Sequence, residues 1–414
     1  MSYELEAHTE AGQKFVTACE RVIEPLRSRA EEADRTSTIN PDNFSDLLRA
    51  GVSSAFVPEE LGGFGLTSIH DWMAGMCRLG RGDGSVAIIM NMHLAVSRGL
   101  ALAFRAHKAT GNDAAAGFLE PQLRQIVAGE MQICATATEP GTDNLHPFTE
   151  AVRTDDGWEL NGLKIFVTGS PIATHIAMNL RLPGAAANGG DLIGSTMLPL
   201  GSDGVEPQDD WDALGMRGSG SQAVKLNGVR VPETAVQKTG PWGLWSTPML
   251  MNRNLANLPL LGVFLGIAEH AYELALEAAA KKAKKGKPRN AERPSIQHAI
   301  AEMEIALVTA QALLDRTGRY ADDFLAKHTA DKLTLEAGHE LLKNHQSMKW
   351  VVNRHAIDIV SNAMNVVGGS AFMAGHPLSR LYRDVRAGPF MQPFSPTDAR
   401  EYIGKVALGI YPED

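Results

Sequence analysis

The spacing of hydrophobic residues changes twice along this chain, and no other feature of the sequence restricts the fold as strongly. Apolar residues recur at helical intervals from about residue 10 to 130, as at Phe15 and Cys19. Short β-type runs follow up to about Pro232, and the helical period returns after Gly240. The sequence therefore predicts an α+β protein with three successive domains, helical over 1–130, β over 131–235 and helical over 236–414.

Turn-forming dipeptides divide the middle region into candidate strands. Asn-Gly and Asp-Gly pairs favour the tight turns of β-hairpins, because the central residues of such turns need positive φ angles. Three such pairs occur, at 156–157, 161–162 and 227–228. The β-forming residues around them predict strands over 158–160, 164–168, 174–182 and 224–226.

The charge balance restricts the partners. The 414 residues carry 39 Lys and Arg against 48 Asp and Glu, which gives a formal net charge of -9. Nucleic acids and anionic membranes attract concentrated positive charge, so this balance argues against both. The longest apolar run, residues 258–268, contains Pro259 and is far shorter than the roughly 20 residues that span a bilayer. We therefore predict a small-molecule substrate, with no nucleic-acid and no membrane partner.

Cysteine and histidine spacing gives no sign of a metal site. Cys19, Cys77 and Cys134 lie far apart with no CxxC pair, so neither a disulfide framework nor a Cys-based zinc site is indicated. His339 and His345 are six residues apart, whereas two zinc ligands on one helix face are four apart. No metal is predicted. The acidic N-terminus lacks a signal-peptide pattern, which favours a reducing cytoplasmic location.

Several short motifs resemble the signatures of acyl-CoA dehydrogenases, and they occur in the family's order over nearly the whole chain. The glycine-rich segment alone would be weak support, but the combination is specific. The motifs are Pro58-Glu59-Glu60-Leu61-Gly62-Gly63-Phe64-Gly65, Ala137-Thr138-Glu139-Pro140-Gly141, Leu160-Asn161-Gly162 with 164–169, and the segments 214–217, 229–232, 367–369 and 381–384. The resemblance implies an N-terminal helical bundle, a middle β barrel and a C-terminal four-helix bundle, in the order that the periodicities indicate.

The resemblance also implies a bound flavin, FAD or FMN, in the middle domain. In the family, the strand before the Thr-Glu-Pro-Gly motif and a later aromatic-x-Thr strand hold the isoalloxazine ring. In this chain Phe166 would stack on the ring and Thr168 would donate to N5. Taken singly, these residues are more simply a core aromatic and an ordinary strand former, whereas the set at the family's spacing favours the flavin interpretation. The other ring contacts that the resemblance implies are Ala135, Ala137, Thr138, Gly141 and Val167.

The chain departs from the family at the catalytic base. Most members carry a glutamate eight residues after an Arg-Asp pair, and counting from Asp384 places Gln392 there. Other members carry it on a central helix, where this chain has Ala256. A glutamine amide does not accept a proton near neutral pH, so neither usual base is present. Asp398 and Glu401 would substitute only if the segment winds differently, and we expect them to begin a solvated helix.

The contacts to the adenosine half of FAD are also reduced. The family's arginine and phenylalanine after the first long C-terminal helix are replaced by the basic run 281–289. That run could reach a phosphate, although charged runs with Gly and Pro are more often exposed loops. Gly368 and Gly369 are retained, and in the family this pair reaches the cofactor of the neighbouring subunit. By analogy we expect a homotetramer or a homodimer.

Two further residues are candidates for the site. His93 falls on a helix that lines the substrate cavity in the family, although a core histidine with satisfied hydrogen bonds is the simpler interpretation. Arg217 could lie near the flavin or the substrate, or in a surface turn.

Three functions fit these observations. Family frequency favours α,β-dehydrogenation of an acyl thioester such as an acyl-CoA, with hydride transfer to flavin N5 and an electron-transfer flavoprotein as partner. The chain also resembles a second branch of the family, the two-component monooxygenases. The resemblance rests on the missing base, the reduced contacts to adenosine and the segment 293–297. These take reduced flavin from a separate reductase and form a C4a-hydroperoxyflavin. The third function is a non-catalytic subunit of a mixed tetramer. Dehydrogenation is the leading expectation, and the monooxygenase is the next.

Overall fold

The computed structural model describes residues 4–281, 289–328 and 332–412. Within these ranges the predicted architecture is confirmed, with a helical N-terminal domain, a β-sheet middle domain and a helical C-terminal domain. The α-helices of the first domain are α1 (Glu10–Thr36), α2 (Asp42–Ala50), α3 (Ile69–Gly82), α4 (Gly84–Ala109) and α5 (Asp113–Ala128). Those of the last are α6 (Thr247–Asn257), α7 (Leu260–Ala280), α8 (Pro294–Lys327), α9 (Leu335–Val367), α10 (Pro377–Asp384) and α11 (Pro396–Ala407).

Side-chain caps fix where several helices begin. The side chains of Thr9, Ser68 and Asp83 accept hydrogen bonds from backbone N–H groups in the first turns of α1, α3 and α4. The Ser395 side chain does the same for the Asp398 N–H at the start of α11. The predicted solvated helix start at this segment is therefore confirmed.

One hydrophobic core joins the two helical domains. α3 is buried along almost its whole length, where it packs against α1, α7 and α8. The backbones of α3 and α7 touch, because a methyl group added at Gly266 would collide with the Cys77 carbonyl oxygen and one at Gly80 with that of Val263. A residue without a Cβ is required at this crossing. The first and last domains therefore pack together as one helical unit.

The middle domain is an eight-stranded sheet in the order β6-β7-β3-β2-β4-β5-β8, with β1 parallel to β4. The strand ladders of its two halves, β6-β7-β3-β2 and β1-β4-β5-β8, are joined by one β2–β4 residue pair, Glu150 with Arg181. Both halves bury side chains in one shared core, including Trp158, Leu180 and Val224. The strands are β1 (Ile133–Thr136), β2 (Glu150–Thr154), β3 (Gly157–Val167), β4 (His175–Leu182), β5 (Leu192–Pro199), β6 (Val205–Pro207), β7 (Gln222–Pro232) and β8 (Val236–Pro241).

Two of the three predicted hairpin turns are wrong. The Asn-Gly pairs at 161–162 and 227–228 lie inside the long antiparallel strands β3 and β7, at a shift in their register. The Asn161 side-chain oxygen accepts a hydrogen bond from the Gly228 N–H over 2.8 Å. Gly162 has a φ of 154° and Gly228 a φ of 65°. These glycines thus mark a bulge between two strands, since a bulge needs the same positive φ angles as a tight turn.

Two stretches are long and apolar enough to cross a membrane by length and composition alone, Gly84–Ala109 and Thr247–Ala280. In their most apolar windows, 56% and 94% of the residues are buried inside the fold. Core helices pass the same test, so this is weak support for a membrane span. The expected absence of a membrane partner stays a prediction.

Candidate active site

The two strands predicted to hold the flavin ring lie side by side. β1 runs parallel to β4, with Ala135 opposite Ala177. Thr136 Oγ1 donates to the Ile165 carbonyl oxygen over 2.9 Å, and the Ile165 N–H donates to the Thr138 carbonyl oxygen over 3.0 Å. These bonds bring the segment after β1 and the end of β3 to one edge of the sheet, which we call the flavin edge and define as residues 135–141 and 165–168.

Phe166 is distinctive in the flavin edge because its backbone is strained and its ring is exposed. Its φ is 55°, in the left-handed region, which costs a bulky residue of order 1–3 kcal/mol. The residue is 55% exposed, with the ring of Trp211 edge-on at 6.1 Å between centroids. An exposed apolar ring in a fixed orientation suits one face of a flat ligand ring. The alternative of a core aromatic is excluded.

Thr168 lies half-buried in a row of hydroxyl groups. Its Oγ1 is 2.9 Å from Ser221 Oγ, which is 2.7 Å from Ser219 Oγ. The intervening Val167 is fully buried and anchors the end of β3. Because each hydroxyl can both donate and accept, Thr168 can accept from Ser221 and turn its own proton towards a ligand.

A buried ion pair supports the flavin edge from inside the domain. Glu139 Oε1 accepts a hydrogen bond from Lys164 Nζ over 2.5 Å, and Oε2 accepts from the N–H groups of Phe148 and Thr149 over 2.6 and 2.9 Å. Lys164 Nζ also donates to Asn179 Oδ1 over 3.0 Å. Burial lowers the pKa of Lys164 to about 8, although the charge of Glu139 opposes the shift. The pair is fully enclosed and hydrogen-bonded on both sides.

Gln392, the eighth residue after Asp384, lies at the flavin edge. Its Nε2 donates to Thr138 Oγ1 over 2.9 Å, and its Oε1 accepts from Asn144 Nδ2 over 2.5 Å. Asn144 is joined in turn to Asn179 by a hydrogen bond of 3.4 Å. A neutral amide with both ends engaged therefore lies at the position where the resemblance implies a carboxylate base.

Lys349 on α9 fixes the segment that carries Gln392. Its Nζ donates to the carbonyl oxygens of Met391 and, over 2.6 Å, Phe394. Burial lowers the pKa of this lysine to about 7. No motif in the sequence indicated Lys349, since a single lysine within a helical pattern carries no spacing signal.

The residues considered as replacement bases are engaged elsewhere. Asp398 Oδ2 accepts a hydrogen bond from Ser395 Oγ over 2.6 Å at the start of α11. Glu401 forms an exposed ion pair with Lys405 at 2.7 Å. At the other family position, Ala256 has only a methyl group. None of these residues supplies a proton acceptor to the flavin edge.

An open cavity of about 550 Å³ adjoins the flavin edge at Gly141, whose φ of 75° turns the chain there. His146 and Trp242 pack edge-on in its wall, with centroids 4.6 Å apart. The cavity can admit a ligand group from solvent. It is lined by Gly141, Thr142, Asp143, His146, Phe148 and Trp242.

Three of the predicted site residues do not join the flavin edge in this chain. Gly368 and Gly369 are exposed at the end of α9, where an added Cβ would meet no atom within 4 Å. Arg217 donates to the Asp34 carbonyl oxygen over 3.0 Å and to Asp212 over 3.2 Å, which favours the turn interpretation. Residues 282–288, most of the basic run, lie outside the described residues.

His93 lies in the core, which favours the interpretation as a core histidine with satisfied hydrogen bonds over a catalytic role. Its Nε2 lies 3.0 Å from the Ser53 carbonyl oxygen and its Nδ1 accepts from the Ile133 N–H over 3.1 Å. The carbonyl only accepts, so Nε2 carries the proton and the ring is neutral. Burial lowers its pKa to about 4. His93 therefore ties α4 to β1.

His93 predicts a loss of stability in acid. The unfolded chain takes up a proton near pH 6.5, whereas folded His93 takes it up near pH 4. Its contribution to the free energy of unfolding is thus complete above pH 6.5, and about 3 kcal/mol is lost as the pH falls to 4. Urea unfolding at several pH values should show a shallower pH dependence for His93→Gln than for the wild type. His298→Gln, at an exposed histidine, should keep the wild-type slope. Equal slopes for all three proteins would contradict the assignment.

Arg253 on α6 is a cation that the sequence did not indicate. It is half-buried, and burial lowers its pKa to about 10. Its charge in turn lowers the pKa of Lys164, so it lies near the ion pair beneath the flavin edge. Among the residues that the structure describes, no carboxylate forms an ion pair with it. A partly buried guanidinium of this kind suits an anionic group of a ligand.

Family models match all three parts of the chain. The acyl-CoA dehydrogenase N-terminal domain matches residues 6–104, the middle domain 133–229 and the C-terminal domain 260–394.

Individual relatives are similar over almost the full length. Amino sugar nitrososynthase DnmZ of Streptomyces peucetius is 34% identical over 409 residues, which cover 98% of this chain and 95% of that protein. The crystal structure of a nitrososynthase from Micromonospora carbonacea var. africana is 31% identical, with a TM-score of 0.87 and coverage of 98% and 99%. KijD3, in complex with FMN and dTDP-3-amino-2,3,6-trideoxy-4-keto-3-methyl-D-glucose, is 30% identical, with a TM-score of 0.88 and coverage of 99% and 96%.

Proposed function

Since the chain belongs to the acyl-CoA dehydrogenase family, we propose that it is a flavin-dependent monooxygenase that oxidises the amino group of a nucleotide-linked amino sugar. The similar nitrososynthases support this branch, and they give no specific support to acyl thioester dehydrogenation. The observation that carries the proposal is Gln392, a neutral amide at the position where a dehydrogenase needs a carboxylate.

The cofactor is a flavin, and FMN as well as FAD is allowed. The flavin edge fits it, because the strained, exposed Phe166 offers an aromatic face and Thr168 offers a hydroxyl donor beside it. When bound, reduced flavin supplies the two electrons with which one atom of O2 is transferred to the amine nitrogen while the other leaves as water. The reduced flavin would come from a separate reductase, which is the partner we propose.

The chain's own residues bind and orient the reactants and keep the site uncharged near the reacting nitrogen. Gln392 holds Thr138 without introducing a negative charge, so no carboxylate draws water into the edge. Arg253 supplies a positive charge for a phosphate, which both a nucleotide-linked sugar and a flavin carry. The amine must reach the flavin edge as the free base, because its lone pair forms the new N–O bond.

The flavin edge predicts a large effect of the double substitution Phe166→Ala and Thr168→Ala. Losing the stacked ring and one donor should weaken flavin binding roughly 10- to 100-fold. Fluorescence titration with FMN measures this directly. Leu163→Ala, at an exposed site on the same strand, is the control and should bind flavin normally. If a correctly folded double variant bound FMN with unchanged affinity, the assignment of the flavin to this edge would be wrong.

Turnover tests the proposed function. The protein would be incubated with a flavin reductase, NADH, FMN and a dTDP-linked amino sugar, and the product followed by mass spectrometry. We expect a product one oxygen atom heavier that requires both the reductase and O2. In parallel, oxidised flavoprotein would be mixed anaerobically with a panel of acyl-CoAs. Bleaching of the flavin by an acyl-CoA, with no oxygenated sugar, would overturn the proposal in favour of dehydrogenation.

We also propose a homo-oligomer, a tetramer or a dimer. Phe372 and Met373 follow the exposed Gly368-Gly369 pair and are 84% and 65% exposed, which is unusual for such large apolar side chains. Light scattering should give two or four chains per particle, and Phe372→Asp should shift the population towards monomers. Phe118→Asp, at a phenylalanine on α5 that is 72% exposed, should leave it unchanged. A flavin-bound wild-type monomer at micromolar concentration would refute the oligomer.

A further inference from the structure

Three side chains of metal-ligand type meet where the N-terminal segment crosses α3 and α8. His8 precedes α1, His70 lies in the first turn of α3, and Asp315 lies on α8. His70 Nε2 is 3.2 Å from His8 Nε2 and 3.0 Å from Asp315 Oδ1, and His8 Nε2 is 3.7 Å from the same oxygen. α3 and α8 contribute no residue to the flavin edge, so this cluster is a separate feature.

The three separations fit a common cation. Zinc binds histidine nitrogen and carboxylate oxygen at about 2.0–2.1 Å in tetrahedral sites, which places neighbouring ligand atoms about 3.3–3.4 Å apart. The observed distances of 3.0, 3.2 and 3.7 Å lie around that value. An ion at the centre would therefore reach all three atoms with small side-chain movements.

Hydrogen bonding sets the orientation of His70. Its Nδ1 is 3.1 Å from Asp71 Oδ1, and Asp71 is itself held by the N–H groups of His8 and Thr9 over 2.8 and 3.0 Å. A carboxylate only accepts, so Nδ1 donates to Asp71, and Nε2 is the ring atom that faces His8 and Asp315. A proton on Nε2 would point to one of these two acceptors, whereas a cation would satisfy both. A carboxylate on the far nitrogen is also the usual support of a metal-bound histidine.

α8 packs closely against α3 beside the three side chains. A methyl group at Gly318 would lie 2.8 Å from His70 Cα and 2.9 Å from its Cβ and Cδ2. Only glycine lets α8 come this close, and Asp315 lies one turn away on the same helix. His70 is 1% and Asp315 20% exposed, while His8 is 37% exposed, so the site is open to solvent on one side only.

We propose that His8, His70 and Asp315 bind a divalent transition-metal ion, with Zn²⁺ the best suited, and a water molecule in the fourth position. Two imidazoles and one carboxylate are a donor set that zinc prefers, and the exposed side of His8 leaves room for the water. The ion joins the N-terminal segment to α8 and so clamps the first domain to the last. His8 and His70 are 62 residues apart, and His70 and Asp315 are 245 apart, so no sequence motif indicated the site. The proposed ion departs from the prediction of no metal that the sequence alone supports.

Zinc titration tests the site. The full chain, purified without a histidine tag and stripped with a chelator, would compete for Zn²⁺ with a chromophoric chelator at pH 7.5. We expect one equivalent to bind, with an affinity at least about 10-fold weaker in His8→Gln and in Asp315→Asn. His298→Gln, which removes an exposed histidine elsewhere, should bind as the wild type does. Co²⁺ should give the intense visible bands of tetrahedral coordination in the wild type.

The outcomes distinguish a bound metal ion from a proton held between His70 and one of its two neighbours. If the wild type binds no Zn²⁺ at micromolar concentration, or if His8→Gln binds it as tightly as the wild type, the proposal is overturned. His8→Gln changes an exposed side chain, and FMN titration checks that the variant is folded. Flavin affinity should be the same with and without zinc. A variant that fails to fold leaves the wild-type stoichiometry and the Co²⁺ spectrum to decide.

Discussion

Replacing Glu139 with alanine is expected to lower the free energy of unfolding by about 3–5 kcal/mol and to abolish flavin binding. The substitution leaves the buried Lys164 ammonium without its counter-charge and leaves the N–H groups of Phe148 and Thr149 without an acceptor. Because those groups shape the loop after β1, the flavin edge should lose its geometry as well. Urea unfolding and FMN titration measure the two effects.

Glu233→Ala is the matched control for this prediction. Glu233 also forms an ion pair in the middle domain, with Arg153 at 2.9 Å, but both side chains are more than half exposed. Solvent screens such pairs, so its removal should change stability far less than the removal of Glu139. Equal effects of the two substitutions would show that the Glu139 pair does not support the site.

Gln392→Glu is expected to uncouple the reaction, with about a tenfold fall in oxygenated product per reduced flavin consumed. The new carboxylate loses the donor to Thr138 Oγ1 and places a half-buried negative charge at the flavin edge. Such a charge draws water and protons into the site, and the electrons from the flavin then leave as hydrogen peroxide. Product and peroxide would be measured in the same turnover assay.

The same variant also tests the dehydrogenase alternative. If the chain is a dehydrogenase that lacks its base, Gln392→Glu restores a carboxylate and should increase flavin bleaching by acyl-CoA. Gln237→Glu adds the same charge at an exposed position of β8 and should alter neither assay. A Gln392→Glu variant with normal coupling and no acyl-CoA activity would mean that this residue does not face the reactants.

The fold could largely be predicted, because helix and strand periods are local properties of the sequence. The change near Met131 and its return after Gly240 placed the three regions without any tertiary information. The error at the two Asn-Gly pairs has a physical cause, since a bulge and a hairpin turn both need positive φ angles. Only the pairing of β3 with β7 distinguishes them, and that pairing is a long-range contact.

The site was predictable only where a motif carries it. The resemblance indicated Phe166 and Gln392, and the structure places both at one edge, although their roles in binding and catalysis stay predictions. Lys349 and Arg253 were not indicated, because nothing in the sequences of their helices distinguishes these two cations from those on the surface. His93 was considered for the site because it falls on a helix that lines the substrate cavity in the family. Its hydrogen bonds to the Ser53 and Ile133 backbone place its side chain in the core.

The most direct test of the account is the source of the oxygen atom in the product. A single turnover with reduced FMN, a dTDP-linked amino sugar and isotopically labelled O2 should give a sugar whose nitrogen carries one labelled oxygen, because the atom comes from O2 and not from water. The Phe166→Ala, Thr168→Ala variant should give almost none. A product with unlabelled oxygen, or no nitrogen oxidation in any amino sugar nucleotide tested, would contradict the assignment of this chain as a flavin-dependent monooxygenase.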